Sequence, residues 1–143
     1  MKFEDIKTKA AQDAKVNQHD LDDEALESSK MHQKWLDILT DEIIVLRRCE
    51  DELKKTYRAR WIYYSGKADR DVYDKEGNFN LNLAKGDLTM FIESDDIYIE
   101  VKSKVDLQRE KVAYIESFMK NINNRHWHIR NAIEWRKFTQ CQT

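Results

Sequence analysis

Two stretches of this chain repeat apolar residues at alternating steps of three and four, and they set its organisation. The first runs through Leu36, Leu39, Ile43, Leu46, Leu53, Tyr57 and Tyr64, with Glu50 and Arg60 interrupting the seam. Trp35, Ile38, Cys49 and Trp61 widen that stripe on either side. Asp20 followed by Leu21-Asp22-Asp23-Glu24 reads as the start of this helix, because acids favour the positive end of the helix dipole. Ser65-Gly66 reads as its stop. A helix of about 44 residues would be roughly 65 Å long, too long to bury itself in a small globule.

The second seam is the cleaner one. Val105, Val112, Met119 and Ile133 recur every seven residues, interleaved with Ile115, Ile122 and Ile129, and only His126 breaks the pattern inside that span. The periodicity predicts a helix from about Ser103 to Phe138. Tyr114, Phe118, Trp127, Trp135 and Phe138 fall off the seam, so this helix is apolar on more than one face. A monomer of 143 residues has too few other elements to cover both faces. Self-association through the seam of Val112, Ile115, Met119, Ile122, His126, Ile129 and Ile133 follows as an expectation.

Between and before these seams the signals are weaker. Phe3, Ile6, Ala10 and Ala14 give a short helical stripe. Residues 66–87 hold Gly66, Gly77 and Gly86 and read as a long exposed connection. Thr89-Met90-Phe91-Ile92 and Ile97-Tyr98-Ile99-Glu100-Val101 flank Glu93-Ser94-Asp95-Asp96, the pattern of a small β-hairpin that must pack on a helix. The fold class expected is mainly α: two long helices joined by an irregular connection with a small β-hairpin. Residues 1–102 form the N-terminal helical region with loop and hairpin, and 103–143 the C-terminal oligomerisation helix. The whole makes one compact unit that assembles as a homo-oligomeric ring.

Composition agrees with a helical chain, since it holds no Pro and only 3 Gly. Charged residues are 36% of the total, yet the net charge is −2, so any charged surface must be local. Cys49 and Cys141 make neither a disulfide framework nor a zinc knuckle, which suits a reducing compartment. No run approaches the ~20 apolar residues of a membrane span, and no signal-peptide core follows Met1. The chain therefore reads as soluble, with no membrane partner.

Charge asymmetry appears at one place. Lys54, Lys55, Arg58, Arg60, Lys67 and Arg70 stand against the single acid Asp69, with Arg47 and Arg48 just upstream. Trp61, Tyr63 and Tyr64 are interleaved with them. Single-stranded nucleic acid requires that combination, cations for phosphates and flat rings for unpaired bases. Trp61 and Tyr63 lie off the apolar seam and are the better stacking candidates. The competing account is a solvated helix end whose cations suit the negative end of the dipole and whose aromatics belong to the core. A second basic group, Lys120, Arg125, Arg130, Arg136 and Lys137, decorates the last helix, where an extended DNA path or a partner protein competes with simple solvation.

Catalytic and metal chemistry finds no support. His126 and His128 point to different sides of a helix, and His19 and His32 lack partners at ligand spacing. Neither a phosphate-cradling glycine loop nor a nucleophile signature is present. We assign no catalytic residue, cofactor or metal. A coiled-coil structural or scaffolding protein without a nucleic-acid role is the alternative to a binding protein.

The segment Arg58-Ala59-Arg60-Trp61-Ile62-Tyr63-Tyr64-Ser65-Gly66-Lys67 resembles the motif of the UvsY family of T-even-type phages, where basic-Ala-Arg precedes Tyr-Tyr-Ser-Gly-basic. Lys34-Trp35-Leu36 and, more loosely, Asn124-Arg125-His126-Trp127 through Arg136-Lys137-Phe138 are similar to the family too. Ala68 departs from it, standing where the motif has Gly. The resemblance implies a recombination mediator acting in the cytoplasm of the infected bacterial host. Such proteins form closed rings, bind single-stranded DNA and help load a UvsX-like recombinase onto strands covered by single-stranded-DNA-binding protein. It further implies that Arg58, Arg60 and Lys67 contact DNA and that the C-terminal helix mediates assembly.

Overall fold

The computed structural model describes residues 1–141 and consists of five α-helices. They are α1 (Phe3–Asp13), α2 (Leu21–Tyr64), α3 (Arg70–Glu76), α4 (Lys85–Glu93) and α5 (Asp96–Gln140). No strand occurs among the described residues, and none of their helices is long and apolar enough to cross a membrane. The two long helices expected from the seams are α2 and α5, at 44 and 45 residues.

The chain divides into two compact units. One comprises Met1–Ile43 and Glu110–Thr143, the other Ile44–Arg109.

In the first unit, α1 and the start of α2 pack against the later part of α5. Ile6, Ala10, Trp35, Ile115, Met119 and Ile122 form its core, lined further by Met31, Ile38, Leu39, Tyr114 and Phe118. Trp35 is fully buried, 4.5 Å from the Phe118 ring, and its indole N–H donates to Asp13 Oδ2 at 2.9 Å. A buried indole needs such a partner, and Lys34 at 2.7 Å balances the charge of the same carboxylate. Ile6 and Ala10 are the inward positions of the weak stripe read at the N-terminus.

The first unit also settles where the second seam goes. Val112, Ile115, Met119, Ile122 and Ile129 are all buried within this chain, Ile133 is half-buried and His126 is exposed. The heptad residues expected to hold subunits together pack instead as the intramolecular face of α5.

In the second unit the hairpin is absent. Residues 89–93 belong to α4, Ser94-Asp95 make a corner, and α5 begins at Asp96, ahead of the expected Ser103. The reason is a helix cap. Asp95 Oδ1 accepts the backbone N–H groups of Ile97 at 3.0 Å and Tyr98 at 3.1 Å, satisfying two donors of the first turn. Tyr98, Val101 and Val105 are then buried at helical spacing, while Ile97 and Ile99 remain 46% and 45% exposed. Burial at steps of three and four prevails over the β-branched preference of Ile-Tyr-Ile-Glu-Val for strand.

The connection after α2 is likewise more ordered than its glycines suggest. Lys67 N–H donates to Ile62 O and Gly66 N–H to Tyr63 O, the paired bonds that close a helix through a left-handed glycine. Gly66 has φ +75°, a value costly for any residue with a Cβ. Ala68 takes an ordinary backbone conformation, so the family's glycine is not required there. α3 follows, held by Tyr73, whose hydroxyl donates to Tyr63 O at 2.8 Å and accepts the Ala68 N–H at 3.3 Å.

Candidate nucleic-acid interface

The C-terminal part of α2 carries the basic and aromatic residues, and helical geometry sorts them. Residues of an α-helix step by about 100°, so Arg58 and Arg60 point about 200° apart. Arg47, Lys54, Arg58 and Trp61 fall on one stripe, which spans roughly 21 Å along the axis. Arg48 and Lys55 lie beside it.

The outward stripe is open. Arg47, Arg48, Lys55, Arg58 and Arg70 are exposed, and among the described residues none makes an ion pair or a side-chain hydrogen bond. Lys54 has only a loose contact to Asp51 at 3.4 Å, with both side chains in solvent. Trp61 is 39% exposed, and Lys67 Nζ stands 5.3 Å from the centre of its ring. The strand of cations therefore ends at an accessible aromatic with a further cation above it.

The inward side holds Arg60. Only 7% exposed, it pairs with Glu76 Oε2 at 2.5 Å and Asp95 Oδ2 at 2.8 Å. Its guanidinium also lies 4.3 Å from the Tyr63 ring centre and 5.3 Å from that of Tyr64. Burial alone would push its pKa down. The bonds to Glu76 and Tyr64 and the charge of Asp95 outweigh burial and hold it above the ordinary arginine value, so the charge is permanent. The Nε is buried without a hydrogen-bond partner. Tyr64 donates to Asp95 Oδ2 at 2.7 Å, and burial together with that bond raises its pKa, partly opposed by Arg60.

Tyr63 is equally enclosed. It is 8% exposed, stacks on Tyr73 at 5.3 Å between ring centres, and donates its hydroxyl to Gly77 O at 3.1 Å. A base cannot stack on a ring that is already covered. Tyr64, Phe79 and Phe91 complete the aromatic cluster beneath the stripe, at 5.0–5.8 Å spacings.

The candidate residues thus divide by position. Arg47, Arg48, Lys54, Lys55, Arg58, Trp61, Lys67 and Arg70 present themselves to solvent, while Arg60 and Tyr63 are packed beneath. Glu76 and Asp95, the partners that hold Arg60, gave no signal in the sequence. Glu50, on the seam of α2, pairs with Arg109 at 2.7 Å. The second basic group on α5 is mostly engaged within the chain. Arg125 is buried against Glu24 and the carbonyls of Asp13 and Lys15, Arg130 reaches Glu134, and Arg136 donates to Gln18 O. Among the described residues no three His, Cys, Asp or Glu side chains gather as metal ligands.

Residues 9–142 match the family described as "Recombination, repair and ssDNA binding protein UvsY". No curated protein matches the chain. Among solved structures, the fold is similar to crystal structures of the bacteriophage T4 recombination mediator protein UvsY. One, of lattice type IV, superposes with a TM-score of 0.85 at 22% identity, covering 96% of this chain and 99% of that one. Another, of lattice type II, gives 0.85 at 20% identity, covering 98% of each.

Proposed function

The chain belongs to the UvsY family, and from that premise we propose that it is a recombination mediator whose outward α2 stripe binds single-stranded DNA. The observation that carries this reading is the exposed row of Arg47, Lys54 and Arg58 leading to the exposed Trp61, in which Lys54 alone has a partner, the loose contact to Asp51. Cations that are solvent-exposed and at most loosely paired are available to replace the counterions of a phosphate backbone. An exposed indole offers a stacking surface without demanding a sequence. Lys55, Arg48, Lys67 and Arg70 flank the path.

Arg60 and Tyr63 enter the site from beneath. They tie α3 and the α4–α5 corner to the end of α2, so the turn bearing Lys67 and the start of α3 at Arg70 are anchored beside the end of the stripe. The reaction is binding, not catalysis. Copies of the chain join through α5 into a homo-oligomeric ring, which multiplies a weak site by effective concentration. Bound DNA is then passed to a UvsX-like recombinase on strands covered by single-stranded-DNA-binding protein, in the cytoplasm of an infected bacterium. A titration of fluorescent single-stranded DNA at several salt concentrations tests the reading. Affinity that is tight, indifferent to sequence and steeply salt-dependent is expected. Absence of binding at low salt would leave only the scaffolding role.

A further inference from the structure

Lys67 meets the ring of Trp61 although six positions separate them in the sequence. Had α2 run on, the two would point about 240° from each other and lie roughly 9 Å apart along the axis. The left-handed turn at Gly66 reverses the chain instead and brings Lys67 Nζ to 5.3 Å from the indole centre. Both side chains are exposed, where the attraction of an ammonium to a ring face is weak. So weak an attraction does not seat a flexible lysine. The backbone beneath it does.

That backbone is held in two steps. The bonds from Gly66 N–H to Tyr63 O and from Lys67 N–H to Ile62 O close α2 and reach no further than Lys67. The next N–H, of Ala68, goes to the hydroxyl of Tyr73, which itself donates to Tyr63 O. One phenol thereby fastens the chain after Lys67 to the last turn of α2. Its ring, half-buried, stacks on Tyr63 at 5.3 Å. Tyr63 returns a bond from its own hydroxyl to Gly77 O, just past the end of α3, and Arg60 holds the same end through Glu76. The far end of α3 is therefore fastened without the Tyr73 hydroxyl, whereas the turn that carries Lys67 is fastened by it.

We infer that Tyr73 is a positioning residue for DNA: its hydroxyl keeps Lys67 beside Trp61, so that the indole takes a base and the ammonium a phosphate of the same nucleotide unit. The inference rests on the single-strand reading of the α2 stripe and assigns the subsite at its end. Stacking tolerates any base and a point charge tolerates any phosphate, so the subsite asks only for an unpaired nucleotide. Tyr73 touches neither group of the DNA. It acts by removing, before binding, freedom that the Lys67 turn would otherwise lose on binding.

The test is the salt dependence of binding to a fluorescent oligothymidylate, measured on the full chain. Tyr73→Phe removes one oxygen and neither a charge nor a ring, so a merely structural effect leaves the number of neutralised phosphates as it was. Loss of the Lys67 seat should instead weaken binding several-fold and make the slope of log affinity against log salt shallower by about 0.7 for each subunit in contact. Lys67→Ala should make the same change, and adding Tyr73→Phe to it should alter the slope no further. Gly66→Ala reaches the turn by a second route. An added Cβ meets nothing within 4 Å, but φ of +75° is strained for alanine, so the turn should relax and the slope should change as in Tyr73→Phe. Helix content is recorded for both variants, and if one loses it the other carries the test. A variant with the parent's helix content and the parent's slope overturns the positioning role. A slope change by Tyr73→Phe that persists in the Lys67→Ala chain overturns it too. Arg58→Ala separates this inference from the reading beneath it. If Arg58→Ala makes the slope shallower and Tyr73→Phe does not, the stripe stands and the subsite falls. If the parent binds no single strand, both fall.

Discussion

Asp95 receives the guanidinium of Arg60 on one carboxylate oxygen at 2.8 Å, and caps the first turn of α5 with the other. One side chain thus joins the end of α2 to the start of α5 within the same unit. Tyr64 shares the oxygen that Arg60 uses, and Glu76 brings α3 to the far side of the guanidinium. The basic motif accordingly has two layers, an outer one that is free and an inner one that is tied down.

Replacing an arginine in each layer should give opposite outcomes. Arg60→Met leaves the buried carboxylate of Asp95 without its cation and should lower unfolding free energy by about 3 kcal/mol. Arg58→Ala removes no contact and should stay within about 0.5 kcal/mol of the parent. Urea denaturation with helix content as the signal checks both. Equal stability of the two variants would show that the inner ion pairs do not hold the unit.

The two functions of Asp95 can be separated. Asp95→Asn keeps an oxygen for the α5 cap but loses the charge paired with Arg60. Asp95→Ala loses both, and should be less stable than the Asn variant by about 1 kcal/mol, the usual worth of a cap. If the two variants melt together, the cap contributes nothing here.

These cases mark where the sequence was legible. The periods of α2 and α5 could be read because apolar residues recur over many turns, and the stop at Gly66 could be read from a local rule. The segment Ile97–Val101 reads as strand because four of its five residues are β-branched or aromatic, a pattern that satisfies strand and helix alike. What decided between them was the carboxylate of Asp95 and the burial of Tyr98 and Val101 by distant residues. The pairing of Arg60 with Glu76 was invisible for the same reason, since nothing in the spacing of residues 60 and 76 shows that α3 folds back. A seam likewise shows that a face is buried, but not whether the cover is the same chain or another. Val112–Ile129 turned out to be covered from within.

Acid should weaken the first unit through Asp13. Partial burial acts to raise its pKa, but bonds from Lys34 and Trp35 and the charges of Lys34 and Lys9 outweigh it and hold the carboxyl below its ordinary value of 3.8. A carboxylate depressed on folding stabilises fully above its unfolded pKa, and that stability is lost as pH falls through the lower, folded value. Stability should therefore drop below about pH 4 more steeply in the parent than in Asp13→Asn. Thermal melts between pH 3 and 6 measure it. Curves that run parallel would exclude Asp13 from the acid limb.

The outer layer is tested through salt. Each phosphate that a protein cation neutralises on a single strand contributes about −0.7 to the slope of log affinity against log salt. Arg58→Ala and Lys54→Ala should each weaken binding and make the slope shallower by about 0.7 for every subunit in contact with the strand. Trp61→Ala should weaken binding by about 1–3 kcal/mol per stacked base while leaving the slope unchanged, because stacking releases no counterions. Tyr63→Phe serves as the control. It removes only the hydroxyl that bonds Gly77 O and keeps the ring, so it should lower stability without changing affinity. The decisive pattern is a divided one, with slope following the cations and affinity alone following Trp61. Should Arg58→Ala and Lys54→Ala bind with the parent's affinity and slope, the DNA does not run along this stripe.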